Sequence, residues 1–349
     1  MWRVRSRPFE VVGRSTAFLG CAALALAAAS LPAFAQHRYP GETWERARGP
    51  QWSAEGLAGA RAYSATIKTA AVMILQHGAV VDEWGETARK FNCHSIRKSL
   101  LNALYGIEVA AGRINLKSTL AELYIDDNEP SLTPTEKRAT VLDLLKSRSG
   151  VYHPALYETP WMKATRPPRG SHPPGTFFYY NNWDFNALGT IFERQTGTKL
   201  FETFKKLIAD PLGMQDYRVE DGEYFRGPDS IHPAYPFRMT ARDLARFGLL
   251  YLRGGVWRGQ QIVPREWVRE STKAHSDLGN GEGYGYLWWV SRNSFSARGA
   301  GGHYIWVIPS LDLVVVHRVN TDEPGNQVTE EEFRRLLSLI VAAARDASS

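Results

Sequence analysis

Cys93-His94-Ser95-Ile96-Arg97-Lys98-Ser99-Leu100-Leu101 places a serine three residues before a lysine at the head of an apolar run. Ser95 is the only serine in the chain with a lysine at that spacing. The residues from Ser95 to Ala111 predict a helix, which Gly112 ends. On a helix, residues three apart lie on nearly one face, one turn from each other. Lys98 would then stand beside Ser95, its amine within reach of the hydroxyl. A serine hydroxyl is a poor nucleophile until a base takes its proton. A lysine serves as that base only when burial or neighbouring positive charge pulls its pKa down from about 10.4. The helix N-terminus adds a backbone N–H and the positive end of the dipole, both suited to an oxyanion. The plainer alternative is a helix-capping serine with a solvated lysine. Spacing alone does not separate the two.

A second stretch favours the chemical reading. Pro174-Gly175 is followed by Thr176-Phe177-Phe178-Tyr179-Tyr180-Asn181-Asn182. A tyrosine two residues before an asparagine supplies a phenol to relay a proton and an amide to orient the lysine. Tyr179/Asn181 and Tyr180/Asn182 both meet that pattern. Phe177 and Phe178 read as core.

With these residues in view, the chain resembles the serine β-lactamase and penicillin-binding-protein superfamily. The branch is that of class C β-lactamases, DD-peptidases, esterases and 6-aminohexanoate-dimer hydrolases. The resemblance runs from about Ala70 to Val316. Ser95-Ile96-Arg97-Lys98 matches S-x-x-K, and Pro174-Gly175-x4-Tyr180-Asn181-Asn182 matches P-G-x4-Y-S-N, with Leu188-Gly189 where the family has L-G. That match selects Tyr180 and Asn182. Ser147-Arg148-Ser149-Gly150 stands where relatives carry H-T-S-G, and Pro211-Leu212-Gly213-Met214 matches a P-L-G-M turn. The resemblance implies that Ser95 forms an acyl-enzyme and that Lys98 is the general base, alone or with Tyr180. Tyr180 would pass the proton to the departing amine or alcohol. Asn182 would position Lys98 and the substrate.

The family's third motif, K-T-G or H-x-G, is altered. Its counterpart is Ala297-Arg298-Gly299-Ala300-Gly301-Gly302-His303, which begins on an alanine and not a cation. In relatives that cation helps hold a β-lactam carboxylate, so the change points away from β-lactams. Arg298 and His303 are the candidate substitutes. Gly299 and Gly301 suit a backbone that approaches substrate closely and offers it an N–H.

The remainder of the chain fits around this centre. Arg3, Arg5, Arg7 and Arg14, then an apolar stretch from Ala17 to Ala29, then Ala33-Phe34-Ala35 read as a secretory signal peptide over 1–35, cleaved before Gln36. Residues 36–349 are expected to form one domain, periplasmic or secreted, with no stable membrane insertion once the signal is gone. Residues 36–55 read as an irregular arm. Strands are expected at Ala70–Gln76, Ala79–Trp84, Tyr284–Ser291, Tyr304–Ile308 and Leu313–His317. Helices are expected at Leu116–Leu123, Thr140–Lys146, Asn182–Gln195, from Thr240, and at Glu330–Ala344. Residues 160–176, with five prolines and two glycines, read as loop. Strands at both ends and helices between them predict an α+β fold of the β-lactamase type. Its antiparallel sheet would be built from N- and C-terminal segments and flanked by helices, with a mainly helical lobe inserted over roughly 91–275.

Several classes of function are disfavoured. The chain carries 42 basic and 36 acidic residues, and no basic tract suggests nucleic acid. The nine histidines show no H-x-H or H-x-x-x-H spacing, so no metal is expected, and no cofactor motif is present. The glycine-rich 279–285 stretch reads as a flexible loop and not a phosphate cradle. Tyr152, Tyr157 and Trp161 are candidates to line a pocket. The expected partner is a small or short peptide-like amide or ester. The rivals are a β-lactamase or DD-peptidase proper, and a non-catalytic module that binds cell-wall peptide on the same fold.

Overall fold

The computed structural model describes residues 38–47, 51–279 and 281–344. The expected signal peptide and its cleavage site lie outside the described residues.

One eight-stranded antiparallel sheet organises the chain. Its strands are β1 (Thr69–Gln76), β2 (Ala79–Gly85), β3 (Ser276–Gly279), β4 (Glu282–Tyr284), β5 (Trp289–Ser291), β6 (Ser294–Gly299), β7 (His303–Ile308) and β8 (Leu313–Val319). Their spatial order is β2-β1-β8-β7-β6-β5-β4-β3. The N-terminal hairpin is thus completed by the C-terminal strands, with Ile74 opposite Val315 and Ile305 opposite Val316. The apolar runs of β1 and β8 do not alternate with polar residues because the sheet is covered on both faces. Met73, Leu75, Val314 and Val316 belong to the core shared with the helical lobe. Their neighbours Val72, Ile74, Leu313 and Val315 pack on the other side, with Ala60, Phe333 and Ile340. Those three come from two terminal helices, α1 (Ala54–Ser64) and the C-terminal helix (Glu330–Ala343), which Thr329 and Glu332 cap reciprocally.

The chain between β2 and β3 forms the helical lobe. Helix α2 (Ile96–Ala110) is buried on every side from Ile96 to Gly106, because it lies between the sheet and that lobe. Its polar residues are satisfied internally: Ser99 donates to Leu287 O at 2.8 Å and Asn102 Nδ2 to Tyr286 O at 2.9 Å. Helix α3 (Asn182–Thr196) is capped by the Asn181 side chain and ends on Gly197 at φ 68°. Helix α4 (Ala241–Leu252) packs against β1, β7 and β8.

Four expectations need correction. The residues from Tyr284 to Ser291 are not one strand but the ends of β4 and β5, paired antiparallel with Tyr284 opposite Trp289. Leu287, at φ 59°, makes the turn between them. Gly279 and Glu282–Tyr284 lie on the paired strands β3 and β4 and not in a loose loop. Residues 116–123 form turns bridged to Thr140, not a helix. The proline-rich 160–176 loop contains a short helix, Pro160–Thr165, started by the Thr159 side chain.

Candidate active site

The turn into α2 is held under strain. Cys93 donates its N–H to Phe237 O at 2.8 Å, and His94 takes a left-handed conformation at φ 46°. A non-glycine residue there is unfavourable unless its surroundings fix it. Those surroundings are present. His94 N–H donates to Asn92 Oδ1 at 2.9 Å, and its Nε2 lies 2.8 Å from Thr321 Oγ1. Arg318, fully buried on β8, donates to the carbonyls of Phe91 and Asn92 at 2.9 and 3.0 Å. Ser95 follows as the N-cap of α2, and its hydroxyl makes no capping bond. It is therefore free for chemistry.

Lys98 Nζ lies 3.0 Å from Ser95 Oγ and 2.7 Å from the Tyr180 hydroxyl. The lysine is 1% exposed and no carboxylate pairs with it among the described residues. Burial pushes its pKa well below the usual lysine range, and the neighbouring Arg97 guanidinium pushes it further. Arg97 is itself buried, against the Tyr235 ring and Asn186 Oδ1. Burial also raises the Tyr180 phenol to about 12, with a hydrogen bond to Ser95 opposing the rise. The site therefore holds a lysine biased toward the neutral amine beside a phenol that keeps its proton.

Tyr180 is fixed from both sides. Its ring packs against Phe185 and Trp289, with centroids at 5.0 and 5.2 Å. Its backbone neighbours Tyr179 and Asn181 are both hydrogen-bonded to Ser147. Tyr179 does not compete for the role: its hydroxyl donates to Met162 O at 2.6 Å, away from Lys98. Asn182 lies in the first turn of α3, where its amide donates to Tyr157 O at 2.6 Å. No hydrogen bond joins Asn182 to Lys98 among the described residues, and the Asn182 Oδ1 is buried with no partner. Asn182 is a wall of the cavity instead.

The cavity above Ser95 has a volume of about 660 Å³. Ser95, Tyr180, Asn182, Arg298, Gly299 and Ala300 all border it. Gly299 brings β6 against the nucleophile turn: a Cβ there would lie 2.6 Å from Cys93 O. Ser95 and Ala300 thus border one space, and neither backbone amide has an acceptor among the described residues. Two expected residues fall outside it. Gly301 sits in the β6–β7 turn at φ 83°, where a Cβ would meet Thr321 Cγ2 at 2.5 Å. His303 is fully buried, accepting from Arg318 Nε at 3.1 Å through Nδ1, so its neutral ring carries hydrogen on Nε2. Neither residue borders the cavity. Arg298 reaches the cavity but is paired with Glu282 at 2.6 Å and Glu330 at 3.1 Å.

Aromatic side chains are the largest group in the wall. Tyr157 and Trp161, read as candidates from sequence, line it, while Tyr152 does not. Trp289, Tyr304 and Glu330 also line it and had no signal in spacing. No cluster of His, Cys, Asp and Glu suited to a metal occurs among the described residues, and none of their helices is long and apolar enough to cross a membrane.

The β-lactamase family model matches residues 54–339. A 6-aminohexanoate-dimer hydrolase from Paenarthrobacter ureafaciens is 36% identical over 168 residues, which cover 43% of this chain and 41% of that protein's length. Among solved structures, a provisionally named 6-aminohexanoate-dimer hydrolase from Bacillus anthracis superposes with a TM-score of 0.65 at 23% identity, over 87% of this chain and 86% of that one. A class C β-lactamase gives 0.61 at 14% identity, over 84% and 96%. At these identities the structural matches establish the fold.

Proposed function

The chain belongs to the β-lactamase family, and from that we propose that it is a serine hydrolase cleaving an amide or ester through an acyl-enzyme on Ser95. The observation that carries this reading is the triangle of Ser95 Oγ, Lys98 Nζ and Tyr180 OH, with edges of 3.0 and 2.7 Å at the lysine. The neutral amine of Lys98 takes the Ser95 proton as Oγ attacks the carbonyl carbon. The amides of Ser95 and Ala300 stabilise the oxyanion, assisted by the dipole of α2. As the tetrahedral intermediate collapses, Tyr180 gives its proton to the leaving nitrogen or oxygen and is reprotonated from Lys98. Water then attacks the acyl ester as the neutral Lys98 amine takes its proton, and Lys98 returns that proton to Ser95 Oγ as the acid leaves.

A linear amide or small ester is the favoured substrate over a β-lactam. Two facts support it. The third motif starts on buried Ala297, and the neighbouring arginine is already paired. The curated relative that shares 36% identity over part of its length is named for a linear amide. We also propose that the protein is exported, which N-terminal sequencing of the mature form would check.

A fluorophosphonate probe followed by peptide mass spectrometry tests the central claim. Ser95 is expected to be the labelled residue, and Tyr180→Phe is expected to cut turnover by roughly 10²–10⁴-fold, the usual worth of a positioned proton donor. A folded protein in which Ser95 never reacts would refute the acyl-enzyme.

A further inference from the structure

Arg298 is the cation nearest to the place where relatives keep one, and its charge is cancelled in an ordered way. Its Nη2 donates to Glu282 at 2.6 Å and its Nη1 to Glu330 at 3.1 Å. Arg334, from the C-terminal helix, reaches the same two carboxylates at 2.8 and 2.6 Å. Two cations and two anions thus form a closed ring in which each acid binds both arginines. The guanidinium is further confined between Trp289 and Trp306, 5.0 and 5.1 Å from the ring centroids. Its side chain is 12% exposed, so little of it is left to bind an incoming anion. Glu330 also borders the cavity, which places a carboxylate where an acidic substrate group would arrive. His94, also in the lining, is held at about 4 chiefly by burial and is neutral at physiological pH. The rest of the lining is mainly carbon, from Tyr157, Trp161, Phe178 and Trp289.

We propose that Glu282 and Glu330 are specificity residues: by neutralising Arg298 they make this a pocket for uncharged, apolar acyl groups and exclude substrates bearing a carboxylate on the acyl chain. The proposal rests on the serine hydrolase reading for its kinetic test, but the charge claim itself concerns binding. Removal of either acid leaves Arg298 with unbalanced positive charge at the cavity wall. A fixed unit charge in a partly hydrated site changes the handling of an opposite charge about 4 Å away by roughly tenfold or more.

The test compares p-nitrophenyl hexanoate with mono-p-nitrophenyl adipate, which has the same chain length and a terminal carboxylate. The native enzyme is expected to favour the neutral ester in kcat/KM by about tenfold or more. Glu330→Gln and, independently, Glu282→Gln are each expected to raise the anionic-to-neutral ratio about tenfold. Adding Arg298→Gln to Glu330→Gln is expected to abolish that gain. In parallel, hexanamide and adipamate are titrated onto Ser95→Ala protein, followed by tryptophan fluorescence. Hexanamide is expected to bind and adipamate to bind only once an acid is removed. Equal handling of the two esters by native enzyme, a ratio unmoved by both acid substitutions, or failure of hexanamide to bind would each overturn the proposal. Inert esters with an unlabelled Ser95 would defeat the hydrolase reading instead, and the amide titration would still decide the charge claim.

Discussion

Ser147 and Tyr179 are joined twice: Tyr179 N–H donates to Ser147 O at 3.1 Å, and the Ser147 hydroxyl donates to Tyr179 O at 2.6 Å. The same hydroxyl accepts the Asn181 N–H at 3.0 Å. Tyr180 is therefore clamped by its two backbone neighbours onto one buried serine, itself at φ 56°. The clamp fixes where the phenol meets Lys98. Ser147→Ala removes two of these three bonds and leaves a buried amide without an acceptor, at a cost of about 1–3 kcal/mol. It is expected to lower kcat about tenfold, as a slight misplacement of a reacting group does. The diagnostic is non-additivity. Ser147→Ala on top of Tyr180→Phe should cost turnover almost nothing more, because the serine acts through the phenol. Additive losses would show that Ser147 serves stability alone.

That clamp also shows where sequence reading stops. Ser147-Arg148-Ser149-Gly150 was placed by its likeness to H-T-S-G, but nothing in the spacing says that its first hydroxyl spans Tyr179 and Asn181. The Ser95–Lys98 pair was legible because both residues lie within one helical turn. The strands β1 and β8 were legible because burial on both faces leaves an unbroken apolar run. The β4–β5 hairpin was hidden, since Tyr284-Gly285-Tyr286-Leu287-Trp288-Trp289 is apolar throughout and its left-handed residue is a leucine. The state of Arg298 was hidden for a different reason. Its partners lie 16 and 32 residues away and meet it only once β4, β6 and the last helix are assembled.

Lys98 sets the expected pH dependence. Acylation needs its neutral amine, and burial first, with Arg97 second, lowers its pKa. Activity should therefore rise as pH climbs through that lowered pKa. It should then hold, because Tyr180 keeps its proton until about 12. His94, at about 4, titrates too low to govern the neutral range. A kcat/KM profile on a neutral ester should show one acidic limb and a plateau. An alkaline fall starting near about pH 8 would assign the proton transfer to another group.

Gly299 is expected to be intolerant of a side chain. A Cβ would stand 2.6 Å from Cys93 O and 3.1 Å from the His303 Cβ, and backbone atoms cannot rotate away. Gly299→Ala must push β6 from the nucleophile turn and separate the Ala300 amide from Ser95. Overpacking of this kind costs about 1–3 kcal/mol. Urea unfolding should register that loss, and fluorophosphonate labelling of the still-folded protein should slow by about tenfold or more, part of what one oxyanion donor supplies. Native labelling kinetics would mean that the Ala300 amide is not used.

The ground under the active site should be sensitive to acid. His303 and His317, buried, and His94, half-buried, lie around Arg318 with no carboxylate among their hydrogen-bond partners. Burial holds His94 and His317 at about 4 and His303 well below the usual range. Below about pH 6.5 the unfolded chain takes up protons that these native rings refuse, so their contribution to stability is lost as pH falls toward 4. Asp184 and Asp243 act in the opposite sense, since burial raises both, Asp243 to about 6. The histidine term is therefore read as a difference. His317→Gln cannot take up a proton, and its stability should fall with acid by about one proton less per pH unit than native, or about 1.4 kcal/mol per unit at the steepest point. Urea midpoints measured from about pH 7 down to 4 would give both slopes, and parallel lines would show that His317 is not held neutral in the folded protein.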